Sequence, residues 1–304
     1  NFLPLFYNCF RDWIAEEFIF NVMKALRHYI FSHKPPNILL HFPSFITILH
    51  FANHIIQQRS WRIRRVLNNV LTELPNGSHV LDAGCGDGQF LLWAGKKFPN
   101  ITINGIDIKK GNLDIINSYI KNNNIDNILL QHGNILDINP NKKCALIYCI
   151  STLYMLTDDK VLLQSWYNNT PKNCKIILYH PINSKIELSC YAKLRNNAIT
   201  YEKENAIDKI YTYSELDNLF KKTGWSIEFE EFGMGYIGRI GHELYSYLLL
   251  KVANTSNSLL LIFWFISILI VAPISIILQM LDYLLNRYKT DNSVLFILKK
   301  LGSK

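Results

Sequence analysis

The sequence predicts an α/β fold around a doubly wound, largely parallel sheet, and three observations carry that expectation. Short apolar runs alternate with segments of helical periodicity between residues 79 and 232, the pattern of strand–helix–strand crossovers. One of those runs, Val80-Leu81-Asp82-Ala83, opens directly into the glycine turn Gly84-Cys85-Gly86-Asp87-Gly88. A lone carboxylate, Asp107, ends the next run. A strand, a glycine turn and a helix start, with an acid about 20 residues further on, make a nucleoside pocket at the carboxyl edge of a parallel sheet.

The elements follow in order. Phe6, Phe10, Trp13, Ile14, Phe18, Val22, Leu26 and Ile30 recur at helical spacing, which predicts an amphipathic helix over 2–30. Pro35-Pro36 ends it. Residues 38–56 form a second apolar segment with Phe42, Phe45 and Phe51, interrupted at Pro43. A third helix, 61–74, carries Arg62, Arg64 and Arg65 and stops at Pro75-Asn76-Gly77. Its arginines read as a solvated or head-group-facing side. Strands are predicted at 79–83, 101–107, 127–132, 144–150, 174–180 and 225–232. Helices at 89–98, 111–123, 158–168 and 213–223 connect them.

Composition sets bounds. The 304 residues leave room for one such domain plus about a third as much again. The net charge of +8 is moderate, since much of the polar content is Asn, as in Asn122-Asn123-Asn124. A mean hydropathy of +0.06 is high for a soluble enzyme. Cys9, Cys85, Cys144, Cys149, Cys174 and Cys190 form no C-x-x-C pair, which points to a reduced, cytoplasmic chain rather than a disulfide framework. His28, His33, His41, His50 and His54 are irregularly spaced and predict no metal site; they read as surface or lid residues.

The glycines of the turn serve different ends. Gly84 lets the chain leave the strand sharply, Gly86 lets backbone approach a ligand, and Gly88 lets the helix start close to the sheet. A dinucleotide site wants G-x-G-x-x-G, whereas this turn reads G-x-G-x-G with Asp82 two residues ahead. A strand-end acid suits a ligand with an amino-acid group rather than a pyrophosphate. Gly233-Met234-Gly235-Tyr236-Ile237-Gly238 matches the dinucleotide pattern literally, but no strand with a terminal acid follows, so it reads as a flexible junction.

The Asp82–Gly88 run, D-A-G-C-G-D-G, resembles the first motif of the class I S-adenosylmethionine-dependent methyltransferases. The resemblance implies a Rossmann-like seven-stranded sheet of order 3-2-1-4-5-7-6 with strand seven antiparallel, a place that Val294–Leu298 can fill. It implies S-adenosylmethionine as cofactor, bound by Asp82, Gly84, Cys85, Gly86, Gly88, Asp107, Ile108, Asn134, Ile135 and Ile150. In that family an acid is more usual where this chain has Asn134. The 148–156 segment resembles the stretch that faces the methyl acceptor, and lacks the Asn or Asp with paired prolines of nucleic-acid adenine methyltransferases. No nucleic-acid substrate is therefore expected. His180 and Tyr154 are the candidate catalytic groups, able to take a proton from a hydroxyl acceptor.

From Val252 to Leu281 the chain carries no charge, the mark of a membrane helix. If Val294–Leu298 rejoins the sheet, the chain must enter and leave the membrane on one side. Pro273 divides the run into 259–272 and 274–285, which predicts a re-entrant hairpin bent at that proline. Arg239, Lys251, Arg287 and Lys289 would sit among head groups. The domains read as N-terminal helices over 1–60, a methyltransferase-like core over 61–235, a membrane insertion over 236–291 and the last strand over 292–304. The leading expectation is a methyltransferase on the cytoplasmic leaflet, acting on a lipid-, quinone- or polyketide-like acceptor. A catalytically inactive membrane-tethered nucleoside-binding scaffold and an NAD-linked reductase remain the alternatives.

Overall fold

The computed structural model describes residues 43–140, 142–182, 186–198, 203, 210–255, 257–285 and 292–301. The helix expected over 2–30, His28, His33, His41, Arg287 and Lys289 lie outside them. Helices α1 (Phe45–Ile56) and α2 (Gln58–Glu73) precede the sheet. Strand β1 (His79–Ala83), helix α3 (Gln89–Lys97), β2 (Thr102–Asp107), α4 (Lys110–Asn122) and β3 (Ile128–His132) form the first half. The second half runs β4 (Cys144–Ile150), α5 (Asp159–Asn169), β5 (Lys175–Pro181), α6 (Ser189–Asn197), α7 (Tyr213–Lys222) and β6 (Trp225–Phe232). Two long helices, α8 (Tyr236–Asn254) and α9 (Ser258–Leu285), lead to β7 (Ser293–Lys300).

The seven strands lie in the order β3-β2-β1-β4-β5-β7-β6, as expected. Strand β7 is antiparallel to both neighbours, pairing Ile297 with Ile177 of β5 and with Phe229 of β6. The central strands β1, β4 and β5 are buried almost throughout, which is why they read as continuous apolar runs rather than alternating ones. Two apolar clusters cover the two faces: Ile63, Leu67, Leu91 and Ile116 on one, Trp166, Phe220, Trp225 and Phe296 on the other. Helix α7 starts with a capping box, in which the Thr212 hydroxyl accepts from Glu215 N–H and the Glu215 carboxylate accepts from Thr212 N–H. Nothing in the residue pattern announced α6.

The insertion differs from the expectation in one respect. There is a helical hairpin between β6 and β7, but its two arms are α8, which ends at Asn254, and α9, which begins at Ser258 and runs unbroken through Pro273. A proline removes one backbone bond, and here both halves of α9 are held along α8: before the proline, Leu261 packs with Val252 and Trp264 lies beside Lys251. Ser275 Oγ donates to Gly241 O at 2.7 Å, and Gly235 N–H donates to Asp282 Oδ2 at 3.0 Å. At 28 residues α9 is about 42 Å long. The chain still leaves and re-enters the sheet at the same edge, so the single-sided requirement is met by α8 going out and α9 coming back.

Gly238, which ends the dinucleotide-like stretch, and Gly241 one turn further on explain how tightly the hairpin closes. A Cβ on Gly238 would meet Asp282 Oδ2 at 2.6 Å, and one on Gly241 would meet Ser275 O at 2.9 Å. This stretch is a close helix–helix contact and not the flexible junction its sequence suggested.

Helix α9 is inverted relative to a soluble helix. Ser275, Gln279 and Asp282, four and three residues apart and so on one face, are buried, whereas Leu259 is 79% and Leu269 67% exposed. The inward face is fully engaged. Gln58 N–H donates to Gln279 Oε1 at 3.0 Å, Gln58 Nε2 donates to Asp282 Oδ2 at 3.0 Å, and Gln279 Nε2 donates to Ile56 O at 2.9 Å. Helix α1 adds Phe45, Ile48, Phe51 and Ile55 to the exposed apolar surface.

Two charge assignments change. Arg62 is buried and ion-paired to Glu231 of β6, which also holds Arg65, and the Arg62 guanidinium lies 5.0 Å from the Tyr283 ring centroid. Both arginines tie α2 to the sheet; Arg62 is withdrawn from solvent, whereas Arg65 stays on the exposed side as expected. Arg239 pairs with Glu187 at 2.7 Å, anchoring α8 to the segment before α6. Lys251, near the hairpin turn, lies 5.4 and 5.5 Å from the Tyr247 and Trp264 ring centroids, which shield its charge.

Candidate active site

The site grows from the end of β1. Gly84 leaves the strand at φ +81°, and a Cβ there would meet Thr152 Cγ2 at 2.4 Å. Gly86 follows at φ +55° with nothing within 4 Å of where its Cβ would stand. The first glycine is required by a neighbour packed against the turn. The second opens the backbone to free space. Gly88 caps the start of α3, and a Cβ on it would meet Ile116 Cδ1 at 2.9 Å.

The carboxylate of Asp107 is fixed at both oxygens. Oδ2 accepts from Gly86 N–H at 2.8 Å and Oδ1 from Lys109 N–H at 2.7 Å. The register of β1 on β2, Ala83 opposite Ile106, brings the acid beside the turn. Two orienting donors leave each oxygen a second lone pair for a ligand hydroxyl.

These residues open onto a cavity of about 580 Å³, within the range of small-molecule pockets. Of the cofactor residues expected from the sequence, Asp82, Gly84, Cys85, Gly86, Asp107, Ile108, Asn134, Ile135 and Ile150 line it, and Gly88 does not. Asn134 also shapes its own loop, because its Oδ1 accepts from Leu136 N–H at 3.0 Å and caps a short 3₁₀ turn. Tyr154 is on the wall. His180 is not; it is buried behind Tyr154, with ring centroids 5.7 Å apart at an edge-on angle, and flanks Tyr211 at 5.2 Å. Its Nδ1 lies 2.5 Å from Pro181 O. A carbonyl only accepts, so the proton is on Nδ1.

Ser151 and Thr152 line the cavity as part of the 148–156 stretch, while Arg59, Gln89 and Asn112 are wall residues that escaped the sequence reading. Ser151 adopts φ +56°, a strained conformation for a serine that no local sequence pattern announces. His50 is buried rather than a surface group, and its Nε2 lies 3.5 Å from Asp87 Oδ2, which brings α1 against the glycine turn.

Burial pushes the Asp82 carboxyl well above the usual carboxylate range; the Tyr148 hydroxyl opposes the shift, and Asp107 and Asp87 add to it. A carboxyl raised in the folded state makes the protein lose stability as pH rises from its unfolded value toward its folded one, by about 1.4 kcal/mol per pH unit of that window. Asp82→Asn is therefore expected to abolish this decline and raise stability at neutral pH without cofactor. Thermal denaturation of the native and variant proteins between pH 4 and pH 8 checks it; parallel curves would refute it.

A methyltransferase-domain family model matches residues 54–228, more than half of the chain. This chain belongs to the methyltransferase family. The matched span of the methyltransferase contains every cofactor residue named above and both candidate catalytic groups. Among curated proteins, an uncharacterized protein of Methanocaldococcus jannaschii is 24% identical over 241 residues, 77% of this methyltransferase and 62% of that relative. The chain thus spans less than two thirds of that relative's length. Among solved structures, phosphoethanolamine N-methyltransferase 2 of Haemonchus contortus, in complex with S-adenosylmethionine, has a TM-score of 0.54 at 14% identity, over 83% of this chain and 56% of that one. A sarcosine dimethylglycine methyltransferase described as putative, from Galdieria sulphuraria, has 0.55 at 13% over 80% and 86%. Geranyl diphosphate C-methyltransferase of Streptomyces coelicolor, solved with S-adenosylhomocysteine, has 0.51 at 12% over 79% of each chain. At these identities the likeness is one of fold.

Proposed function

We propose that this methyltransferase takes its methyl group from S-adenosylmethionine and transfers it to a hydrophobic acceptor at the cytoplasmic face of a membrane. The cofactor fits the residues present. Asp107, oriented by two N–H donors, would take the ribose hydroxyls, and the open side of Gly86 leaves room for the ligand beside it. Asp82, buried and short of positive charge, would meet the amino group. Asn134 and the Ile135 N–H would meet the adenine, with Ile108 and Ile150 on either side.

The cofactor, when bound, supplies a methyl carbon already activated by a sulfonium. The protein's share is alignment, the exclusion of water, and removal of a proton where the acceptor is a hydroxyl. Tyr154, on the cavity wall, would accept or relay that proton, and His180 would support its ring from behind.

The observation that carries the membrane reading is the inversion of α9, with polar residues inside and apolar residues outside. A helix surrounded by water gains nothing from that arrangement, whereas one surrounded by lipid does. The hairpin would dip into the membrane from one side, with α1 lying along the surface. Its root is tied to the site, because Gln58 binds α9 and the adjacent Arg59 lines the cavity.

Incubating the native protein and Tyr154→Phe with labelled cofactor and a lipid extract tests the proposal, with products identified by mass. Label is expected in a lipid-soluble product, with the variant slower by about 10²- to 10⁴-fold at unchanged cofactor affinity. Tight cofactor binding with no labelled lipid would favour the inactive scaffold instead.

A further inference from the structure

A second, shallower cavity of about 370 Å³ lies on the outer side of α2 and α3, lined by His54, Trp61, Arg64, Arg65, Asn68, Trp93 and Lys97. Its charge is one-sided. Arg65 is committed to Glu231, but among the described residues neither Arg64 nor Lys97 has a carboxylate partner, and both cations lie near the Trp93 ring, at 5.5 and 5.6 Å. Arg64 Nε is buried with no hydrogen-bond partner, and burial lowers the Arg64 pKa from its ordinary value. A buried donor on an uncompensated guanidinium is costly unless an anion meets it.

The position of the groove says where that anion comes from. Trp61, on its rim, meets the Tyr283 ring edge-on at 5.8 Å, and Tyr283 precedes the exposed Leu284 and Leu285 at the root of α9. On another side, His54 adjoins the exposed Phe51 and Ile55 of α1. The groove therefore sits where the apolar surface gives way to charge. This is the level of head groups, where tryptophan and cations collect.

We propose that this groove binds the phosphate of an anionic lipid head group, with Arg64 and Lys97 as its cationic ligands and Trp61 and Trp93 as its walls. The assignment of the phosphate to a lipid rests on the membrane reading above; the phosphate chemistry does not. Arginine gives directed donors that match phosphate oxygens and lysine a point charge, so the pair can hold a phosphodiester.

The test compares the native protein with Arg64→Gln/Lys97→Gln, which keeps most of each apolar stem. Three probes are used: phosphatidylcholine vesicles, the same vesicles with phosphatidylglycerol, and soluble glycerol phosphate by calorimetry. The double variant is expected to lose about 30-fold in partitioning to the anionic vesicles. Binding to neutral vesicles and to S-adenosylmethionine should be unchanged, which also reports a folded variant. An equal preference for anionic vesicles in both proteins overturns the site. Glycerol phosphate binding that depends on Arg64 and Lys97, without a vesicle preference, overturns the lipid source and keeps the phosphate site. If the native protein binds neither vesicle, the membrane reading fails, and glycerol phosphate alone decides whether the groove binds phosphate.

Discussion

Replacing Asp107 by Ala is expected to weaken S-adenosylmethionine binding at least about 100-fold, measured by calorimetry on the native and variant proteins. Two ligand hydroxyls lose an ionised acceptor, and each such bond contributes about 1.5–3 kcal/mol. The loss extends to the protein's own frame, because the Gly86 and Lys109 N–H groups lose the oxygens that hold the turn. Asp107→Asn, which keeps one oxygen, should lie between the two. Unchanged affinity in the alanine variant would end the ribose assignment.

The second large effect is expected from α9. Ile266→Arg with Leu269→Arg places two charges three residues apart on the exposed face of the helix. At bilayer depth each costs about 2.5–3.5 kcal/mol, enough to move the protein from the membrane pellet to the soluble fraction. Neither side chain is buried in the core, so cofactor affinity should be retained. Fractionation and calorimetry on the same preparation check both halves. A variant that stays with the membrane would show that the helix does not hold the protein there. Removing all of α9 would be a poorer test, since Gln279 and Asp282 also hold Gln58 and Gly235.

The sheet and the nucleotide turn were legible because their determinants are local. Strand, glycine turn and helix start occupy consecutive residues, and the spacing to Asp107 is fixed by one crossover. The tail of the sheet was legible only through the family resemblance, since nothing within Ser293–Lys300 says that it pairs antiparallel between two distant strands. What escaped was set by partners far along the chain. Arg62 finds Glu231 across 169 positions, and His50 finds Asp87 through the docking of α1. The bend placed at Pro273 is a different kind of miss. Ser275, Gln279 and Asp282 stand at helical spacing on the far side of that proline, and their common face already signalled a helix packed against a partner.

The order of strands also sets an order of assembly. Strand β7 fills the gap between β5 and β6, yet it is made after both arms of the greasy hairpin have emerged. Until then β5 and β6 each present a raw edge, and such edges invite wrong partners. The methyltransferase half thus cannot be finished ahead of the hairpin: the sheet closes only once both long helices have been synthesised and folded back.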